Sequence, residues 1–218
     1  VWQLTEPEFA GMEFKNPVDE KTSMNCLITM TSEKYQAKLA EAYKEYYGKE
    51  WVSDGTYMNI AYEWIHKFIM NCTFINKDST IAKDIADGAP GSSGLFVFSK
   101  LRSVDPTNIT CSCYDDIQGF AGFLYPIYIQ IAANAKYPYT ACLFVNYCTS
   151  VEGYTNVWGK DMGSYSVNPE APISENAKSF GDQPLSYWQD CAIVEDPVHL
   201  QNVYAFAYTQ IAMWCASK

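Results

Sequence analysis

Apolar stripes at helical spacing are what most limit the folds open to this chain. Asp196-Pro197 is followed by Leu200, Val203, Tyr204, Ala207, Tyr208 and Ile211. That spacing puts the side chains on one face of a helix, and such a face has to be buried. Asp caps a helix start and Pro fits the first turn, so the pair opens the helix. The pattern recurs upstream. Ile60, Ala61, Trp64, Ile65 and Phe68 form the apolar face of a helix from Asn59 to Met70. Leu39, Tyr43, Tyr46 and Tyr47 follow a cap candidate, Ser32, and Gly48 closes that run. Ile81 and Ile85 mark a short helix ending at Gly88, and Pro138 fits the first turn of one running to about Cys148.

Short apolar runs separate these helices. Glu8 to Lys15 reads as a strand, followed by a polar turn from Asn16 to Lys21. Leu95-Phe96-Val97-Phe98 reads as a buried strand after a Gly- and Ser-rich loop. Phe123 to Ile131 reads as another, with Ile127, Ile129 and Ile131 at period two. Alternating strands and helices predict an α/β fold, a mixed sheet flanked by helices. Residues 159–184, rich in Gly, Pro, Ser and Asn, predict a long surface excursion.

Composition narrows the function classes. The chain is 48% hydrophobic and 18% charged, enough to bury a core. A formal charge of −10 speaks against nucleic acid as a partner, because phosphate binding needs clustered Lys and Arg. The apolar run Gly119–Tyr128 is broken by Pro126, well short of the roughly 20 residues of a membrane span. The 8 Cys are not spaced as a disulfide framework and read mostly as buried thiols.

The familiar catalytic patterns are missing. His66 and His199 read as separate surface histidines. Gly91-Ser92-Ser93-Gly94 is one residue short of a nucleophile elbow, and Cys111-Ser112-Cys113 has no second ligand pair for zinc. A non-enzymatic role is therefore expected, with no catalytic residue, metal or cofactor. Among the abundant aromatics, Tyr125, Trp158 and Tyr165 stand in loop-rich segments and are the better candidates to line a ligand cleft.

Several segments, taken in order, resemble the iron-type and phosphosugar-type solute-binding proteins of bacterial ABC importers. They are Trp2 to Gly11, Phe14 to Pro17 with Thr22 to Asn25, and Gly94-Leu95-Phe96. Further along come Ile131 to Pro138 with Ala141 to Phe144 and Glu152-Gly153, then Tyr165 to Pro169 and Val194 to Pro197. The resemblance implies a type II periplasmic-binding-protein-like fold, an incomplete two-lobe hinge protein whose first-lobe start is missing. Residues 1–118 would be a second-lobe domain, and residues 119–218 a hinge-crossing strand and C-terminal helical region. It implies an extracytoplasmic component, in the periplasm or on the cell surface as a lipoprotein, whose partner is an ABC permease in the membrane.

Within that resemblance, Thr22, Ser23 and Asn25 are either a plain helix cap or an anion site at a helix start. Ser93, Ser99, Lys100 and Tyr125 complete the expected ligand set. Ferric-binding relatives carry an adjacent Tyr pair where this chain reads Phe98-Ser99-Lys100-Leu101-Arg102. That difference moves the expected solute from ferric iron to a small anion, a phosphorylated sugar or an organic anion. A ferric-iron transport protein and a ligand-sensing module fused to a signalling protein remain the alternatives.

Overall fold

Three of the apolar stripes become the framework of the molecule. The computed structural model describes residues 1–88, 92–109, 119–159, 165–173 and 183–218. After two 3₁₀ turns, Trp2–Thr5 and Pro7–Phe9, come β1 (Glu13–Lys15), α1 (Lys21–Thr29), α2 (Glu33–Tyr47) and α3 (Ile60–Asn71). Then follow β2 (Thr73–Ile75), α4 (Asp78–Asp87), a 3₁₀ segment Phe98–Ser103, β3 (Phe123–Leu124) and α5 (Pro138–Thr149). A helical turn at Val151–Gly153 runs into a π-helical stretch, Tyr154–Gly159. The chain closes with α6 (Leu185–Cys191), β4 (Ile193–Val194) and α7 (Pro197–Ser217).

The helix ends follow their caps. Asp196 accepts from the backbone N–H of Val198 and His199, and Asn59 from those of Ala61 and Tyr62. Gly48 takes the left-handed conformation, φ 67°, that stops α2, and its N–H returns to the Lys44 carbonyl. Ser32 precedes α2 without a side-chain capping bond.

The strands are far shorter than expected. Only the last three residues of the Glu8–Lys15 run pair as a strand, and Pro7–Phe9 is a 3₁₀ turn. In place of a Leu95–Phe98 strand there is one bridge just before it, Gly94 beside Glu13, and then the chain turns into the 3₁₀ segment. The expected strand from Phe123 to Ile131 stops at Leu124, and Ile127, Ile129 and Ile131 are exposed. Pro126 explains the stop, since it has no N–H to give a ladder.

Every strand pairing among the described residues is parallel, which corrects the expected mixed sheet. β1 pairs with β2 in the register Glu13↔Thr73, Phe14↔Phe74 and Lys15↔Ile75. On its other side, Glu13 donates to the Ser93 carbonyl and accepts from Leu95 N–H, both at 2.9 Å. β3 pairs with β4 through Phe123↔Ile193 and Leu124↔Val194. Helices link the members of each pair, and a long crossover is what parallel pairing requires. Gly94 lets its strand approach closely, for a Cβ there would stand 2.6 Å from Ile81 Cγ2 and 3.0 Å from the Glu13 carbonyl.

One core gathers residues from both sides of position 118. Met24, Leu27 and Ile28 of α1, Leu39 of α2, and Trp64, Ile65 and Phe68 of α3 pack with Ile193, Leu200, Ala207 and Ile211. Trp2 is 1% exposed, and its indole donates to the Leu39 carbonyl at 2.9 Å. Trp64 stacks on Phe68 at 4.8 Å, and Phe68 meets Phe14 of β1 edge to face. α7 lies against both α1 and α3, so the terminal helix is part of this core.

Candidate functional site

Parallel strands put all their carboxyl ends on the same side of a sheet. In such sheets the polar crevice at that edge is where ligands are taken. Here the strands form two separate two-stranded sheets: Lys15 ends β1 and Asp78 follows β2 in one, and Tyr125 follows β3 and Glu195 follows β4 in the other. The opening of α1 adds Glu20 and Asn25.

These side chains form two hydrogen-bonded groups, Lys15 with Glu20 and Asp78, and Asn25 with Glu195, with Tyr125 in electrostatic reach of both. Lys15 Nζ donates to Asp78 Oδ2 at 2.9 Å and to Glu20 Oε2. The Lys15 and Asp78 side chains are only 17% and 13% exposed, so the pair is partly shielded from solvent. Glu20 Oε1 accepts from Thr22 N–H at 3.2 Å, and Asp78 Oδ1 accepts from Val97 N–H at 3.3 Å. Asn25 Nδ2 donates to Glu195 Oε2 at 3.0 Å. Tyr125 is half-buried and stacks on Phe123 at 5.6 Å.

Protonation follows from these contacts. The hydrogen bond from Lys15 holds the Glu20 carboxyl below its ordinary range. Burial alone would lower the Lys15 ammonium, but its bonds to Glu20 and Asp78 outweigh that and raise it. The Tyr125 phenol is pushed up by burial first, then by the charges of Asp78 and Glu20. At neutral pH the cluster thus pairs the Lys15 ammonium with the Glu20 carboxylate, with a neutral Tyr125 phenol beside them. Within the cluster, Asn25 Oδ1 is a buried acceptor with no hydrogen-bond partner among the described residues, as are Glu13 Oε2 and Thr29 Oγ1 outside it.

The expected ligand residues divide. Asn25 and Tyr125 come together in the cluster. Thr22 reaches it through a hydrogen bond to Glu20, and Ser23 sits in the first turn of α1. The cap of α1 is Glu20, not Thr22, Ser23 or Asn25. Glu20 has the extended backbone of a cap residue, φ −129° and ψ 108°, and its long side chain folds back onto the helix start. A carboxylate therefore already stands where an anion was expected. Ser93 lies beside Glu13, at the amino end of β1 and away from the cluster. Ser99 and Lys100 belong to the 3₁₀ segment beyond Val97, and no described hydrogen bond or ion pair joins them to the cluster.

Lys15, Glu20, Asp78 and Glu195 escaped the sequence reading. The available signal was positional, since each is a charged residue at or a few places beyond the end of a short strand. Tyr165, another cleft candidate, donates to the Gln183 carbonyl at 2.9 Å and accepts from the Trp188 indole, a wall contact. Cys111-Ser112-Cys113 and the side chain of Trp158 lie outside the described residues.

The histidines are not lone surface groups. His66 Nδ1 is 2.7 Å from Tyr57 Oη, and its ring lies 5.0 Å from that of Trp214. His199 Nε2 is 2.9 Å from Thr31 Oγ1. Cys72 and Cys148 are buried thiols, but Cys142 is exposed on α5. No described helix is long and apolar enough to cross a membrane.

No protein-family model, curated protein or solved structure matches the chain.

Proposed function

We propose that the chain is a solute-binding module of the type II periplasmic-binding-protein kind, acting outside the cytoplasm with an ABC permease and without catalytic turnover. Its solute sits at the carboxyl edge of the parallel strands, against Lys15, Glu20, Asn25, Asp78, Tyr125 and Glu195. Support comes from the parallel pairing on both sides of β1 and from the helical crossovers. The observation that carries the reading is Asn25 Oδ1, a buried acceptor with no donor among the described residues, beside the paired Lys15, Glu20, Asp78 and Glu195. A buried unpaired polar atom costs about 1–3 kcal/mol, and a ligand that supplies the donor recovers it.

That acceptor and the surplus of carboxylates favour a solute presenting hydroxyl or ammonium donors. An anionic group would meet a Lys15 already engaged by Glu20 and Asp78. A phosphorylated sugar still fits through its hydroxyls, with the phosphate turned away from the carboxylates.

A thermal-shift screen of sugars, phosphosugars, amino compounds, carboxylates and Fe(III) tests the reading. At a hundredfold excess over Kd, a ligand adds about 2.7 kcal/mol, a rise in Tm of roughly 5–10 °C for a chain of this size. The rise is expected from a hydroxyl- or amine-bearing solute and is lost in Asn25→Ala. A screen in which no solute moves Tm, or one in which Asn25→Ala binds as tightly as the native chain, overturns the assignment.

A further inference from the structure

α5 turns an apolar face outward. On its inner side Ala141, Val145 and Cys148 are partly or fully covered. On the opposite side Tyr139, Leu143 and Tyr147 recur every fourth residue, which aligns them in one row, and all three are exposed, as is Phe144 beside them. Tyr139 is 86% exposed, Leu143 70% and Phe144 59%. A helix at the surface of a globular protein ordinarily carries charged or polar side chains there. Among the described elements, the extensive contacts of α5 are with Val151–Gly153 and Tyr154–Gly159, which follow it directly in the chain. A contiguous apolar patch of this kind marks an interaction surface, whereas scattered apolar side chains do not.

Charge points to the occupant. The chain carries a formal charge of −10, so two copies repel each other over most of their surfaces. From Tyr137 to Val151 there is no charged residue, and a second acidic copy can approach that face without such repulsion. The charges that flank the face are opposite in sign: Lys136 stands before the helix and Glu152 after it, both exposed. A two-fold axis across the middle of the helix sets Lys136 of each copy against Glu152 of the other, so the face is complementary to itself. Together with Tyr137, the exposed side chains offer roughly 600 Å² per copy, about 1,200 Å² for a pair, which is the lower end of a specific interface. A lipid surface fits less well, because a helix that lies in a membrane interface carries a face rich in Lys and Arg, and α5 has neither.

We propose that α5 is the centre of a two-fold homodimer interface. The row of Tyr139, Leu143 and Tyr147 packs antiparallel against the same row of a second copy, ridge beside ridge. Lys136 and Glu152 pair between copies at both rims, where they set the register more than the strength of the contact. The inference is independent of the solute-binding reading, since none of the cluster residues belongs to α5 or its flanks.

Sedimentation velocity on the native chain, from low micromolar to sub-millimolar concentration, tests this. The expected result is a mass that rises from 24.6 kDa toward twice that value, with a Kd in the micromolar range. Leu143→Glu, at a position already open to solvent, keeps the far-UV spectrum of the native chain and weakens the dimer about 100-fold. Lys136→Glu weakens it several-fold at low salt, Glu152→Lys does the same, and the two together restore it, because the pairs are only exchanged. A chain that stays monomeric throughout the range overturns the proposal. So does a dimer that Leu143→Glu leaves intact, or one that the double charge exchange fails to restore. A monomer that instead co-sediments with phosphatidylcholine vesicles, and loses that binding in Leu143→Glu, gives the face to lipid and also overturns it.

Discussion

Asn25 is the residue on which the site turns. Its amide nitrogen is held by Glu195, so its carbonyl oxygen is fixed in a buried place without a donor. The sequence pointed to Asn25 because it follows Thr22 and Ser23 at an apparent helix start, and to Tyr125 because it stands in a loop-rich segment. The role of the first group was misread, since capping depends on backbone angles as well as on residue type. Glu20 has those angles and a side chain long enough to reach Thr22 N–H. His66 carries a prediction at the same scale. Burial, then the Lys67 ammonium, hold its imidazole below the ordinary 6.5. The unfolded chain therefore takes up the proton first, and stability falls as pH drops from about 6.5 toward the lower folded value. Thermal melts between pH 7.5 and pH 5 should show a steeper loss for the native chain than for His66→Gln. Equal slopes would mean that the imidazole is not shielded.

At the scale of the element, helices were legible and strands were not. A stripe such as Ile60, Trp64, Ile65 and Phe68 repeats over several turns and carries its own caps, so it specifies a helix unaided. A strand of two or three residues leaves almost no period to read, and its existence depends on a neighbour far away in sequence. Ile127, Ile129 and Ile131 alternate as a strand would, yet they follow Pro126 and lie exposed outside any described ladder. Two substitutions test this level. Asp196→Ala removes the acceptor for Val198 and His199 N–H, and should cost about 1 kcal/mol, a fall in Tm of roughly 2–4 °C. Gly94→Ala drives a methyl against Ile81 and the Glu13 carbonyl, and should cost about 1–3 kcal/mol by denaturant unfolding. A neutral Gly94→Ala would show that the strand beside β1 can shift outward without loss.

For the whole molecule, the α/β class was legible from the alternation of stripes and short apolar runs. The parallel pairing was not, because it is decided by which strand lies beside which. The consequence for function is large. Parallel pairing brings Lys15 and Asp78 to the same end of one two-stranded sheet and Tyr125 and Glu195 to the same end of another, the Asn25–Glu195 hydrogen bond ties α1 to the second, and no local motif announces such a gathering. Under the proposed function, the Glu20, Asp78 and Glu195 side chains there would favour a solute that donates hydrogen bonds over an anion. Titration of the ¹⁵N-labelled chain with the solute giving the largest thermal shift tests this account most directly. Saturable shifts concentrated at Lys15, Asn25, Asp78, Tyr125 and Glu195, and absent in Asn25→Ala, are the predicted result. Shifts centred on α5 or on the Tyr57–His66 pair, with the strand-edge cluster unmoved, would contradict it.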